Sequence, residues 1–106
     1  MGISTKRQMI DTSHGSLAVE ESSHGGIPVL LMHGNSFCRG VFRYQMRGEI
    51  AKNRRLIAFD LPGHGQSANA VDPKRSYTRP ALADVAIELL DKLGISEVIV
   101  FGWSLG

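Results

Sequence analysis

The sequence VIVFGWSLG, at residues 98–106, carries the most specific signal for the fold of this chain. It opens with four apolar residues, as expected for a strand buried on both faces. The run leads directly into the pattern G-x-S-x-G, which places a serine on a sharp turn between a strand and a helix. The residues two before and two after this serine must be small, because larger side chains would collide in the turn. The pattern predicts Ser104 as a nucleophile, with Gly102 and Gly106 supporting its turn.

Two earlier apolar runs also end in polar, glycine-containing loops. Residues 28–32 read PVLLM and lead into HGNS at 33–36, and residues 55–59 read RLIAF and lead into a glycine-rich loop. The spacing of apolar residues predicts helices between the runs, over residues 41–53 and 79–93. Strands and helices that alternate in this way are typical of a parallel sheet.

The first part of the sequence predicts an antiparallel hairpin. Residues 7–12 and 16–21 flank His14 and Gly15, which form a short turn signal. The predicted order is therefore hairpin, strand, helix, strand, helix, strand. This order defines an α/β protein with a mostly parallel sheet and an N-terminal antiparallel hairpin. The last helix has the clearest signals, since Thr78 is a favourable N-cap and an apolar stripe follows it.

Composition narrows the classes of partner. A length of 106 residues fits one domain. The net charge is only +2 and the basic residues are scattered along the sequence, which does not favour a nucleic-acid partner. The single cysteine, Cys38, forms no intrachain disulfide, and no apolar run approaches the roughly 18 residues that cross a bilayer. The N-terminus lacks the apolar core of a secretory signal. We expect a cytoplasmic protein with no metal, nucleic-acid or membrane partner; the oligomeric state stays open.

The predicted loops also indicate an oxyanion site. In sheets of this kind, ligands bind beyond the carboxyl ends of the strands. The backbone N–H of Leu105, directly after the serine, is expected to be one oxyanion donor. The loop after the first buried strand is expected to supply the other, from the N–H of Asn35 or, as the weaker candidate, Ser36. Gly34 is expected to support this loop.

Four further residues are expected to support the loops rather than to react. His33 is expected to brace the oxyanion loop through a hydrogen bond, with a catalytic role as the alternative. Asp60 is expected to hold its own loop by accepting backbone N–H bonds rather than to act as a catalytic acid. Gly63 and Gly65 follow it and supply the tight turns of that loop.

Three motifs together resemble the α/β-hydrolase fold family: LLMHGNS at 30–36, FDLPGHGQS at 59–67 and VIVFGWSLG at 98–106. The middle motif matches the family's D-x-x-G-x-G-x-S loop. The resemblance implies the N-terminal part of an α/β-hydrolase fold, with residues 1–106 as a partial domain that stops just after the nucleophile elbow. It also implies a cofactor-free serine hydrolase of the esterase type, in which Ser104 attacks the carbonyl of an ester, a thioester or a similar small substrate.

The resemblance leaves alternatives open. The family's catalytic order is serine, then acid, then histidine, whereas His14, His24, His33 and His64 all precede Ser104. We therefore expect the 106-residue chain alone to be inactive and its last strand to be an exposed apolar edge. A serine at the elbow argues against epoxide hydrolases and haloalkane dehalogenases, which use a carboxylate nucleophile. Thioesterases, C–C bond hydrolases, lactonases and haloperoxidases share the serine elbow, and a non-catalytic protein that binds a small ligand or a partner chain is the alternative class.

Overall fold

Five strands form a single mixed sheet in the computed structural model, which describes residues 5–22, 26–33, 38–48, 51 and 54–102. The strands are β1 (Thr5–Thr12), β2 (Gly15–Ser22), β3 (Val29–Met32), β4 (Leu56–Phe59) and β5 (Ile99–Gly102). Their spatial order is β1-β2-β4-β3-β5. β2 is antiparallel to both β1 and β4, whereas β3 is parallel to both β4 and β5. The sheet confirms the predicted α/β class, with an antiparallel hairpin attached to parallel strands.

The hairpin is longer than its sequence pattern indicated. Thr5 pairs with Ser22 and Thr12 pairs with Gly15, so the ladder extends beyond the predicted ranges at its open end. β2 then continues the sheet by pairing Val19 with Phe59 of β4. The hairpin is therefore an integral part of the sheet.

The predicted helix over residues 41–53 is wrong in extent. The structure has a 3-10 helix at Arg39–Phe42, followed by a short helix α1 at Arg43–Arg47. α1 ends at Gly48, whose extended backbone, with ψ −171°, breaks the helical hydrogen-bond pattern. Glycine costs the most conformational entropy inside a helix, so it favours an end at this point. Residues 49–50 and 52–53 lie outside the described part of the chain.

Two further helices follow β4. The short helix α2 (Pro73–Ser76) was missed from the sequence, although proline at its first position is a common helix start. α3 (Arg79–Lys92) confirms the predicted helix over residues 79–93, and the Thr78 hydroxyl caps it by accepting the N–H of Ala81 at 3.3 Å. Among the residues that the structure describes, no helix is both long enough and apolar enough to cross a membrane.

The core lies on both faces of the sheet, because alternate side chains of a strand point to opposite sides. One face of the sheet packs against α3 through the apolar stripe that the sequence predicts for this helix. The buried residues of this part of the core, from the sheet, the loop after β4 and the helix together, are Leu17, Val19, Leu30, Met32, Ile57, Phe59, Leu61, Val85, Ala86 and Leu89. The other face packs against the 3-10 helix and α1 through Val29, Leu31, Phe42, Met46, Ala51, Leu56 and Ala58. The central strands β3 and β4 are buried on both faces, as their continuous apolar sequences predicted.

β5 forms the outer edge of the sheet beside β3. Its apolar side chains remain about half exposed, at 46% for Ile99, 55% for Val100 and 53% for Phe101. The expectation of an exposed apolar edge in this chain is confirmed.

Candidate active site

The three predicted loops begin side by side at one edge of the sheet. Met32 is in register with Phe59 of β4 and with Gly102 of β5. The carboxyl ends of the three parallel strands therefore lie in one row. His33 and Asp60 come directly after two of them, at the edge where parallel sheets form ligand sites.

Six predicted site residues lie outside the described part of the chain, including the weaker oxyanion candidate: Gly34, Asn35, Ser36, Ser104, Leu105 and Gly106. Their roles as nucleophile, oxyanion donors and supporting glycines stay predictions. The described residues that border them are His33 and Cys38 on one loop and Gly102 on the other. The site can therefore be built from the residues that hold these loops in place.

Asp60 is the centre of the described site. Its carboxylate is fully buried, and it accepts the backbone N–H of Arg39 at 2.7 Å and that of Gln66 at 2.9 Å. The Arg39 guanidinium donates to the same carboxylate. The Asp60 carbonyl accepts the hydroxyl of Ser67 at 2.5 Å. A buried charge requires such partners, so Asp60 holds the Asp60 loop (residues 60–67) against the segment that contains Arg39.

The two glycines of the Asp60 loop occupy positions that a side chain would not fit. Gly63 has φ +73°, and a Cβ atom there would lie 2.4 Å from the Tyr77 hydroxyl. Gly65 has φ +50°, and its Cβ would lie 2.5 Å from the carboxyl carbon of Asp60. The absence of a side chain at Gly65 therefore lets the loop close over the buried carboxylate of Asp60.

His33 connects the first loop to the same place. Its side chain is fully buried, and Nε2 accepts the backbone N–H of Leu61 at 2.9 Å. The His33 ring also lies beside that of His64, with 5.2 Å between the ring centroids. Nδ1 of His64 in turn lies 2.9 Å from the carbonyl oxygen of Pro62, to which it can donate. Both histidines therefore contact the backbone of the Asp60 loop.

Sequence reasoning missed Arg39. Its side chain is only 12% exposed, and Nη2 donates to Oε1 of Gln66 at 2.7 Å. Nε lies 3.5 Å from Oε1 of Glu20, which is within ion-pair range although it forms no hydrogen bond there. Glu20 also pairs with Nε of Arg7 at 3.3 Å. These partners are far apart along the chain, so no spacing in the sequence connects Arg39 to Asp60.

A second polar cluster joins the hairpin turn to α2 and α3. Buried His14 contacts Oγ of Ser76 through Nδ1 and Oδ2 of Asp84 through Nε2, both at 2.7 Å. This arrangement is the reverse of a catalytic triad, in which Nε2 faces the serine. Ser76 is also fully buried, so its hydroxyl does not face solvent. His14, Asp84 and Glu88 offer three potential metal ligands within 4.8 Å of one another. Those atoms already have hydrogen-bond partners in the protein, so the cluster is held together without an ion.

Glu88 has a perturbed pKa in this cluster. Partial burial acts to raise the pKa of its carboxyl, but hydrogen bonds from the backbone N–H and the hydroxyl of Ser13, at 2.5 and 2.7 Å, lower it. The balance holds the pKa below its ordinary value of 4.5. The charged form of Glu88 is therefore favoured in the folded protein.

Comparison with known proteins identifies the family to which this chain is related. Residues 29–106 match the sequence model described as "Alpha/beta hydrolase family". The chain belongs to this family of hydrolases.

Individual relatives narrow the comparison. The AB hydrolase superfamily protein YisY of Bacillus subtilis (strain 168) is 32% identical over 93 residues, which are 88% of this chain and 33% of that protein. N-acyl homoserine lactonase AidH, solved in complex with N-hexanoyl homoserine, is 48% identical with a TM-score of 0.95 over 97% of this chain and 38% of that one. A putative epoxide hydrolase of Pseudomonas aeruginosa is 28% identical, with a TM-score of 0.80 over 92% of this chain and 32% of that one. The chain spans 22% to 33% of the length of the first curated relatives that it matches.

Proposed function

We propose that the full-length protein is a serine hydrolase that opens lactone rings, with N-acyl homoserine lactones as its substrate class. The observation that carries this proposal is the 48% identity to N-acyl homoserine lactonase AidH over 97% of the chain. A G-x-S-x-G pattern that begins at the end of β5 supports it, because this pattern is typical of serine nucleophiles in α/β hydrolases. Ser104 also argues against the carboxylate chemistry of epoxide hydrolases.

The proposed reaction has two steps. Oγ of Ser104 bonds to the lactone carbonyl carbon while a general base takes its proton, and the N–H groups of Asn35 and Leu105 stabilise the oxyanion. The tetrahedral intermediate collapses and breaks the ring C–O bond, and the departing alkoxide receives the proton. Water then cleaves the acyl-enzyme and releases the open-chain acid. We assign the base and its acidic partner to residues beyond these 106, since the family's order puts both after the serine.

Complexes of the similar lactonase support the substrate class. AidH was solved with N-butanoyl homoserine, the open-chain acid, and this chain is 50% identical to it. A serine-to-glycine variant of AidH was solved with N-hexanoyl homoserine lactone, whose ring is closed. An intact lactone in a variant that has lost a serine is consistent with a serine-dependent opening of the ring in that enzyme.

Substitution of Ser104 tests the proposal directly. The full-length protein and its Ser104→Ala variant are incubated with N-hexanoyl homoserine lactone near neutral pH, and acid release is followed in a pH-stat. We expect acid release from the wild type and a loss of at least about 10⁴-fold in kcat for the variant, because the acyl-enzyme can no longer form. Ser96→Ala, at an exposed serine, is the matched control and is expected to retain full activity.

Labelling with a fluorophosphonate probe separates the enzyme from a non-catalytic relative. A poised nucleophile reacts stoichiometrically, and Ser104→Ala abolishes the label. A well-folded protein that binds the lactone without labelling or turnover would overturn the hydrolase proposal in favour of a binding role. Labelling at Ser104 together with turnover of simple esters but not of lactones would keep the serine hydrolase and overturn the substrate class.

A further inference from the structure

We propose that Arg39 is a positioning residue for this hydrolysis, acting on the oxyanion loop (residues 34–37) through Asp60. The inference rests on the proposed function, because it concerns the donor assigned there to Asn35. His33 precedes the oxyanion loop and accepts a hydrogen bond from Leu61. Arg39 follows the loop and donates to Asp60. Both flanks are therefore bound to one element, the Asp60 loop.

The attachment at Arg39 consists of three hydrogen bonds to the Asp60 loop. Its backbone N–H donates to Oδ1 of Asp60 at 2.7 Å, and Nη1 donates to Oδ2 of the same carboxylate. Nη2 reaches further along the Asp60 loop to Oε1 of Gln66 at 2.7 Å. A planar guanidinium holds two acceptors in a fixed relative orientation, which a single ammonium group does not. Arg39 therefore fixes both the distance and the orientation of the two segments.

This attachment bears on the chemical step more than on substrate binding. An oxyanion donor is effective only when it lies about 2.7–3.1 Å from the position of the developing charge, and loss of one donor costs about 10²- to 10³-fold in kcat. A displaced donor costs part of that factor, which we set at about tenfold. The charge develops only in the transition state, so the KM is expected to change little.

The Arg39 side chain can be removed at a cost in stability but without loss of the fold, because the buried Asp60 carboxylate keeps two other hydrogen bonds, from the backbone N–H groups of residue 39 and Gln66. The side chain borders an open cavity of about 360 Å³, so water can occupy the vacated space. The backbone hydrogen bond from residue 39 to Asp60 is retained in any variant except proline. Arg7 offers a matched control, since it lies on β1 and its ion pair is with Glu20 rather than with Asp60.

The test measures kcat per active site in the full-length protein, with sites counted by the fluorophosphonate probe and N-hexanoyl homoserine lactone as substrate. We expect Arg39→Ala to lower kcat about tenfold with KM within about twofold of wild type. The kcat of Arg39→Lys is expected to lie between those of the wild type and Arg39→Ala, because one ammonium group can contact Asp60 but cannot also hold Gln66. Arg7→Ala is expected to retain the wild-type kcat.

Four results of this experiment would overturn the role that we assign to Arg39. A wild-type kcat per labelled site in Arg39→Ala, even with fewer labelled sites, means a merely structural role and overturns the inference. If Arg39→Ala does not fold, unchanged kcat in both Arg39→Lys and Gln66→Ala overturns it instead. An equal fall in Arg7→Ala also overturns it, since the effect would then not depend on Asp60. An inactive wild type overturns the proposed function, and the inference falls with it.

Discussion

Asp60 shows how one buried charge dictates the residues around it. Its carboxylate has no exposure to water, so hydrogen bonds from the protein must replace hydration. Two backbone N–H groups and a guanidinium supply them, and this requires the Asp60 loop to close tightly over the carboxylate. Gly65 lies where the loop passes closest, and its missing side chain permits that approach.

A Gly65→Ala substitution is therefore expected to be strongly destabilising. A positive φ costs alanine about 1–2 kcal/mol, and displacement of a buried, hydrogen-bonded carboxylate adds roughly 1–3 kcal/mol. Chemical denaturation of the wild type and the variant measures the difference in the free energy of unfolding.

Gly94→Ala is the matched control for this prediction. Gly94 has a similar φ of +71°, but a Cβ there would meet nothing within 4 Å. We expect only the backbone cost of about 1–2 kcal/mol at this site. Equal losses in the two variants would show that close contact with Asp60 contributes nothing and that backbone conformation alone explains both glycines.

The sequence indicated Asp60 but not Arg39, and the physical reason lies in where each signal resides. Asp60 belongs to a local pattern, in which Gly65, the glycine that accommodates its carboxylate, lies within the same eight residues. The partners of Arg39 are contributed by β2 and by the Asp60 loop. Only the strand order β2-β4-β3 brings these segments together, and no local pattern encodes that order.

Helix α3 was predicted correctly because several signals agree there, whereas the helix over residues 41–53 was wrong in extent and α2 was missed. α3 combines a capping threonine with buried residues at helical spacing, such as Val85 and Leu89, so its bounds were predicted to within one residue. Residues 41–53 carry a similar apolar spacing, but Gly48 divides them and α1 has only five residues. α2 has only four residues, too few to show any periodicity.

The link between the hairpin turn and α3 predicts a pH dependence. The pKa of Glu88 is lowered in the folded state, so its contribution to stability is present above the ordinary value of 4.5 and is lost as pH falls through the lowered pKa. We expect Glu88→Gln to cost about 0.5 kcal/mol at pH 7, in the range of solvent-screened interactions. Below pH 4.5 the difference from wild type should shrink towards zero, as thermal unfolding across pH 3–7 would measure.

Asp91→Asn supplies the control for that experiment. Asp91 is exposed on the last turn of the same helix, away from the hairpin turn that contains Ser13. Removal of its charge changes the net charge equally but leaves the Ser13 contacts intact. If both variants lose stability with the same pH profile, net charge rather than the Glu88 hydrogen bonds accounts for the effect.

At the scale of the whole molecule, the parallel strands bring the motif loops together at their carboxyl ends and leave an exposed apolar strand, β5, at the edge of the sheet. Their carboxyl ends are level, which collects the three motif loops into one place. The edge at β5, by contrast, leaves apolar surface open. An apolar groove of about 340 Å³ runs beside it, lined in part by Val29, Leu31, Leu56, Ile99 and Phe101. The β5 edge therefore presents apolar surface through which the 106-residue chain can associate with another chain.

The 106-residue chain, expressed by itself, is accordingly expected to self-associate through β5. An outer strand presents unpaired backbone N–H and C=O groups, and flanking apolar side chains favour pairing with another chain. Val100→Lys places a charge on that strand at a residue that is already 55% exposed, so we expect it to favour monomer in sedimentation velocity. Val71→Lys adds the same charge at a 75% exposed valine outside the sheet and should leave association unchanged. An equal increase of monomer in both variants would trace the association to net charge, and no increase in either would exclude the β5 edge as its route.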